Sequence, residues 1–216
     1  MTRIVLMSAP EVAAIPVHEC GEPLVSAEAD GALQIDSRRR DDAGAFAHLR
    51  EGVLARLVRA QESLPDGLRL LFVEGYRPLS LQRAYFDGYA RELREINPGW
   101  SPAEVHTAAS RYVSPPEIAP HSAGAAVDLT LVTADGDELD MGTQLNDSPE
   151  ESDGACYTSA ENIGAEARAN RALLVTSLTA AGMVNYPTEW WHWSYGDRYW
   201  ALVAGSGNAV YGPREL

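Results

Sequence analysis

Residues 121–132 read His121-Ser122-Ala123-Gly124-Ala125-Ala126-Val127-Asp128-Leu129-Thr130-Leu131-Val132, and the strand within them organises the rest of the chain. Residues 125–132 have the β-branched content of a buried strand, and Ala134-Asp135-Gly136 after them is a turn signal. A carboxylate inside such an apolar strand is costly unless it is paired or bound to a cation. Asp128 is therefore the most informative residue of the chain, the alternative being an Asp that accepts backbone N–H bonds at a loop. Gly124, beside a run of alanines, indicates a backbone that turns tightly and approaches something closely.

Working outward, residues 68–74, LRLLFVE, form a second buried strand. Apolar residues at three- and four-residue steps (Phe46, Leu49, Val53, Leu54, Leu57, Val58) predict a helix over about 42–63, closed by Pro65. Leu81, Tyr85, Tyr89 and Leu93 predict another over 80–96, ended by Asn97-Pro98-Gly99. Ser101-Pro102-Ala103-Glu104 is a capping-box pattern that starts a short helix over 102–112. A fourth helix is expected over 161–181, stopped by Gly182. NYPTEWWHWSY and RYWALVA are both read as strands. The first 32 residues, rich in Pro, Ala and Glu, are expected as an extended arm before a domain over 33–216. The fold class is α+β: a single domain with a largely antiparallel central sheet, helices packed around it and the candidate site at the sheet.

Of 216 residues, 17 are basic and 31 acidic, a net charge of −14. All the basic residues are arginine, so lysine chemistry (Schiff bases, the P-loop lysine) is excluded. The acidic balance disfavours a nucleic-acid or anionic-membrane partner. No apolar run approaches the roughly 20 residues of a membrane span. Met1 to Ala14, interrupted by Ser8, Pro10 and Glu11, makes a poor secretory signal, so a cytoplasmic protein is expected. Cys20 and Cys156 lack metal-site spacing and are expected as unpaired thiols. Eight acids and no base lie between Thr133 and Gly154, read mainly as a solvated loop.

His18, His48 and His106 have no partner cluster, whereas His121 opens the Asp128 block and His192 lies in Glu189-Trp190-Trp191-His192-Trp193. Three tryptophans in four positions mark a core or pocket-lining segment, in which a glutamate must have a partner or a task. Residues three apart face opposite sides of a strand, so convergence of Glu189 and His192 requires a bend or bulge, which Pro187 permits. Two imidazoles and a carboxylate suffice for a catalytic zinc, although another divalent metal fits the same donors. His121, Asp128 and His192 are the candidate ligands and Glu189 the candidate general base. Arg77, in Glu74-Gly75-Tyr76-Arg77-Pro78 at a strand exit, is placed to stabilise an oxyanion, the alternative being an ordinary ion pair.

Tyr76-Arg77-Pro78, the 119–128 block and Glu189–His192 together resemble the zinc D-Ala-D-Ala dipeptidases and the wider group of D,D-peptidases, whose YRP, SxHxxGxAxD and EWWH motifs occur in this order. The resemblance covers roughly residues 33–212. It implies one zinc per chain held by His121, Asp128 and His192, Glu189 as catalytic base, Arg77 as transition-state stabiliser and a small dipeptide substrate. Two positions depart from the pattern. Ala119 stands where the family has serine. In Met141-Gly142-Thr143-Gln144-Leu145-Asn146-Asp147, Asn146 occupies the place of the Asp that binds the substrate's amino group, which leaves Asp147 as the expected substrate-binding acid if the loop turns it inward. D-Ala-D-Ala hydrolysis is the leading expectation. A D,D-carboxypeptidase or endopeptidase acting on longer cell-wall peptides is the alternative within hydrolases, and a non-catalytic zinc-containing peptide-binding module the alternative outside them; the presence of Glu189 disfavours the latter.

Overall fold

The central sheet of the computed structural model, which describes residues 4–216, has the order β2-β4-β5-β7-β6. The first three residues of the expected arm, and of the segment read as a poor secretory signal, lie outside the described residues. β2 is Gln34–Ile35, β4 Leu68–Glu74, β5 Ala126–Thr133, β6 Val184–Asn185 and β7 His192–Ser194. Only the β2–β4 pairing is parallel; the others are antiparallel, as the expected α+β class requires. A second, two-stranded sheet joins β1 (Leu24–Ser26) to β3 (His48–Arg50).

β5 alternates as a strand must. Val127, Leu129 and Leu131 face the main core, and Asp128 lies on the other face. That core is closed by α3 (Glu51–Glu62) through Val53, Leu54 and Leu57, and by α6 (Ala165–Ala180) through Leu174 and Leu178. On the Asp128 side, α4 (Leu79–Ile96) and α5 (Pro102–Ala109) build a satellite core from Phe86, Leu93, Val105 and Ala109. A cavity of 540 Å³ lies between α4 and the polar face of the sheet.

Three expectations are corrected. The helix expected over 42–63 begins only at Glu51. Gly44 is left-handed (φ 66°), Asp41 caps the N–H groups of Ala43, Ala45 and Phe46, and residues 48–50 pair with β1. RYWALVA is not a strand but α7 (Arg198–Ala204), started by Asp197, whose side chain accepts from Trp200 N, and ended by left-handed Gly205. Within the expected arm, α1 (Pro10–Ala13), β1 and α2 (Ala27–Asp30) are ordered elements. Buried Arg50 ties this region down, reaching Glu19, the carbonyl of Glu22 and the carbonyl of Gly212. The capping box at Ser101 and Glu104 forms as expected, and Cys20 and Cys156 are both free.

The acidic 134–154 stretch is largely loop, as expected of its charge, and the loop runs on to Gly164, past the helix start expected at 161. Its backbone is held by buried Arg171 on α6, which donates to the carbonyls of Met141, Ala155 and Tyr157. No helix among the described residues is long and apolar enough to cross a membrane.

Candidate metal centre and active site

Asp128 reaches the site because β5 is pinned on both sides. It pairs with His192 of β7 and with Glu74 of β4. A register shift between Phe72 and Glu74 inserts Val73 as an extra residue, so that Phe72 opposes Leu129 while Glu74 opposes Asp128. Without that bulge Glu74 would fall on the opposite face from Asp128. The bend or bulge expected in the Glu189 segment is present as a turn, in which Glu189 N donates to the Tyr186 carbonyl and His192 N to the Glu189 carbonyl.

His121 sits in a short 3-10 turn, His121–Ala123, ended by Gly124 at φ 65°. A Cβ on Gly124 would lie 2.3 Å from Leu24 Cδ2, which explains the glycine. Arg50 clamps the turn, its N–H donating to the Gly124 carbonyl and its Nε to that of Ala123. His121 Nδ1 lies 2.6 Å from the Gly75 carbonyl oxygen, so Nδ1 carries the proton and Nε2 presents its lone pair to the site.

Three donor atoms then meet. His192 Nδ1 is 3.0 Å from Asp128 Oδ1, His121 Nε2 is 3.3 Å from the same oxygen, and the two nitrogens are 3.2 Å apart. All three residues are buried. A tetrahedral ion with bonds of about 2.0–2.1 Å has ligand–ligand edges of roughly 3.3 Å, so the triangle fits one face of such a coordination sphere. A cation among the three would offset the convergence of their lone pairs. With Nδ1 turned to the cluster, His192 Nε2 is buried without a hydrogen-bond partner.

Glu189 Oε2 lies 3.6 Å from His192 Nδ1. Burial, and next the charge of Asp128, push the Glu189 carboxyl well above the usual carboxylate range. Burial also acts to raise Asp128, but His121 and His192 outweigh it and hold that carboxyl far below its ordinary value. Burial lowers His192. A cation in the cluster would relieve the repulsion between the two carboxylates.

Arg77 is buried and forked onto Glu74, with Nε 2.7 Å from Oε1 and Nη2 2.8 Å from Oε2. Nη1 donates to Gln82 Oε1, and Nη2 lies 4.0 Å from Asp128 Oδ2. Three of its five N–H donors are thereby committed, leaving one on Nη1 and one on Nη2. Burial opposes the charge, yet Glu74 and then Asp128 hold the guanidinium above its usual pKa. The site and the Arg77 segment are joined directly: Arg77 N donates to the His121 carbonyl and Ser122 Oγ to that of Arg77.

Residues 43–204 match the model of peptidase M15, described as D-Ala-D-Ala dipeptidase. The chain belongs to the M15 D-Ala-D-Ala dipeptidase family. This makes it a peptidase. It is 30% identical over 216 residues to a D-alanyl-D-alanine dipeptidase of Synechocystis sp., a match spanning 87% of this chain and 87% of that one. It is 32% identical over 152 residues to a D-alanyl-D-alanine dipeptidase of Streptomyces coelicolor, covering 67% of this chain and 71% of that one. Among solved structures, the LdcB LD-carboxypeptidase is similar over 89% of this chain and 76% of its own, at 17% identity and a TM-score of 0.49.

Of the site residues expected from this M15 sequence, His121, Asp128, Glu189, His192 and Arg77 all line the 540 Å³ cavity. Asp147 does not. Its Oδ2 accepts from Gln144 N, closing a local turn, and left-handed Asn146 (φ 71°) lines the cavity in its place. The loop keeps the register in which Asp147 points away, because its carboxylate satisfies its own backbone. His48 binds the Gly44 carbonyl and His106 packs on the Phe86 ring, both outside the M15 site.

Two contributors were not singled out from sequence. Glu74 orients Arg77, and a charged residue ending the apolar run LRLLFVE was its signal. Asn185 Nδ2 donates to the carbonyls of Glu189 and His192, at 2.9 and 3.0 Å, and so clamps the turn that presents both. No local pattern marks it.

Proposed function

We propose that this peptidase is a zinc-dependent dipeptidase that hydrolyses D-alanyl-D-alanine, with His121, Asp128 and His192 as the metal ligands, Glu189 as general base and Arg77 as oxyanion stabiliser. The observation that carries the reading is the donor triangle with Glu189 Oε2 only 3.6 Å from one of its corners. The named relatives support the dipeptide. When bound, the ion supplies Lewis acidity and a water of lowered pKa.

The chain's own groups perform the proton and charge handling. Glu189 takes a proton from the attacking water and returns it to the departing amine nitrogen. The free N–H groups of Arg77 face the charge that develops on the carbonyl oxygen, and the Glu74 fork holds them there. Burial of all five side chains strengthens each of these interactions.

Zinc-loaded protein should release D-alanine from D-Ala-D-Ala. Glu189→Gln should lose about 10²–10⁴ in kcat while retaining stoichiometric metal. Robust turnover by that variant would overturn the mechanism. One observation favours a second reading: Asn146, not an acid, faces the cavity, so a substrate without a free amino group is accommodated. Preference for an N-acylated tripeptide over the free dipeptide would select a carboxypeptidase.

A further inference from the structure

Arg38, Arg39 and Arg40 stand in a row between β2 and β3, and the structure sends them in different directions. Arg38 pairs with Asp36 and Glu138, and Arg40 pairs with Glu28 and lies over the Phe46 ring. Arg39 alone of the three lines the cavity that holds the donor triangle. Among the described residues its only ion pair is loose: Nε lies 3.9 Å from Glu74 Oε2, an oxygen that already accepts from Arg77 Nη2 at 2.8 Å. On either side of Arg39 the loop is ordered by aspartate side chains, Asp36 accepting from Arg38 N and Asp41 from Ala43 N and Phe46 N.

The cavity's other fixed charges create a need for such a group. Glu92, Glu150, Glu151 and Asp128 all line it. Glu150 is neutralised by Arg111, and Arg77 is forked onto Glu74. Among the described residues that line the cavity, Arg39 is the arginine with its fork uncommitted. A peptide with a free C-terminal carboxylate meets repulsion from these acids unless a cation receives it. A guanidinium matches a carboxylate bidentately, and a side chain one-third exposed can adjust to it without first breaking a buried pair.

We propose that Arg39 is the specificity-determining residue that receives the free C-terminal carboxylate of the peptide, making the site selective for substrates cleaved next to a free carboxyl end. This rests on the peptidase reading of the cavity and separates two cationic tasks: Arg77 serves the scissile carbonyl and Arg39 the chain end.

The experiment compares zinc-loaded wild type, Arg39→Gln and Arg39→Lys on D-Ala-D-Ala and on its C-terminal amide, with calorimetric titration of both ligands into the same variants in the Glu189→Gln background. Wild type should prefer the acid. Arg39→Gln should raise KM and Kd for the acid about tenfold or more, leave kcat and both values for the amide within twofold, and Arg39→Lys should recover part of the loss. Equal effects on acid and amide, or no effect on the acid, would overturn the proposal. If wild type turned over neither ligand the dipeptidase reading would fall, and the calorimetric arm would still decide the role of Arg39.

Discussion

Asp128 and His192 are direct cross-strand partners on β5 and β7, and their side chains meet at 3.0 Å between Oδ1 and Nδ1. The sheet itself thus sets the separation of two donors, and the Arg50-clamped turn brings in the third, His121. A site made this way is assembled by the fold and does not depend on a mobile loop.

Metal should therefore stabilise the folded chain. At a free zinc concentration 100 times Kd the gain is about 2.7 kcal/mol, which for a domain of this size raises Tm by roughly 5–10 °C. His192→Ala should lose most of that shift. Thermal melts with zinc and with chelator check this, and an undiminished shift in the variant would contradict the assigned ligand.

Asn185 should matter to catalysis through the turn it holds. Asn185→Ala removes both donors onto the Glu189 and His192 carbonyls, at a cost of about 1–3 kcal/mol. Lower kcat and weaker metal retention are expected, with KM for the dipeptide nearly unchanged. Asn185→Asp, which aims an acceptor at two carbonyls, should be the worse variant. A rise in KM alone would argue against the clamp.

Asp197 should make stability depend on pH. Burial pushes its carboxyl up to about 6, against the hydrogen bond from Trp200 N, and its Oδ2 is buried without a partner. Its folded pKa lies above the unfolded one, so its contribution is full below about pH 4 and is lost as pH rises through 6. Asp197→Asn retains a capping oxygen for α7 and carries no charge. It should be more stable than wild type at pH 7 by on the order of 2 kcal/mol, with the difference vanishing near pH 4. Urea unfolding at the two pH values reads this directly.

Asp147 should be dispensable for substrate binding. Its carboxylate closes a turn on Gln144 N outside the cavity, so Asp147→Ala should leave KM for D-Ala-D-Ala within twofold. A tenfold rise in KM would return it to the site.

Much of this was legible from residue order. β4 and the helix from Ser101 followed from local signals, apolar β-branched content in one case and a capping box in the other. The five side chains that meet in the cavity were legible because each was chemically out of place: an acid in a buried strand, a glutamate and a histidine among tryptophans, an arginine braced by Gly75 and Pro78.

By itself, the amino-acid sequence determined the reactive groups, the absence of lysine chemistry and the character of the longer elements. These depend on residue identity and on interactions within a helical turn or along one strand. Only the tertiary structure decided which groups converge. The Val73 bulge sets Glu74 opposite Asp128, and non-local pairing brings together His121 and His192, 71 residues apart. It likewise made a helix of RYWALVA and turned Arg39 inward while Arg38 and Arg40 went to surface acids. Such choices are made by strand register and competing long-range partners, which no local pattern encodes.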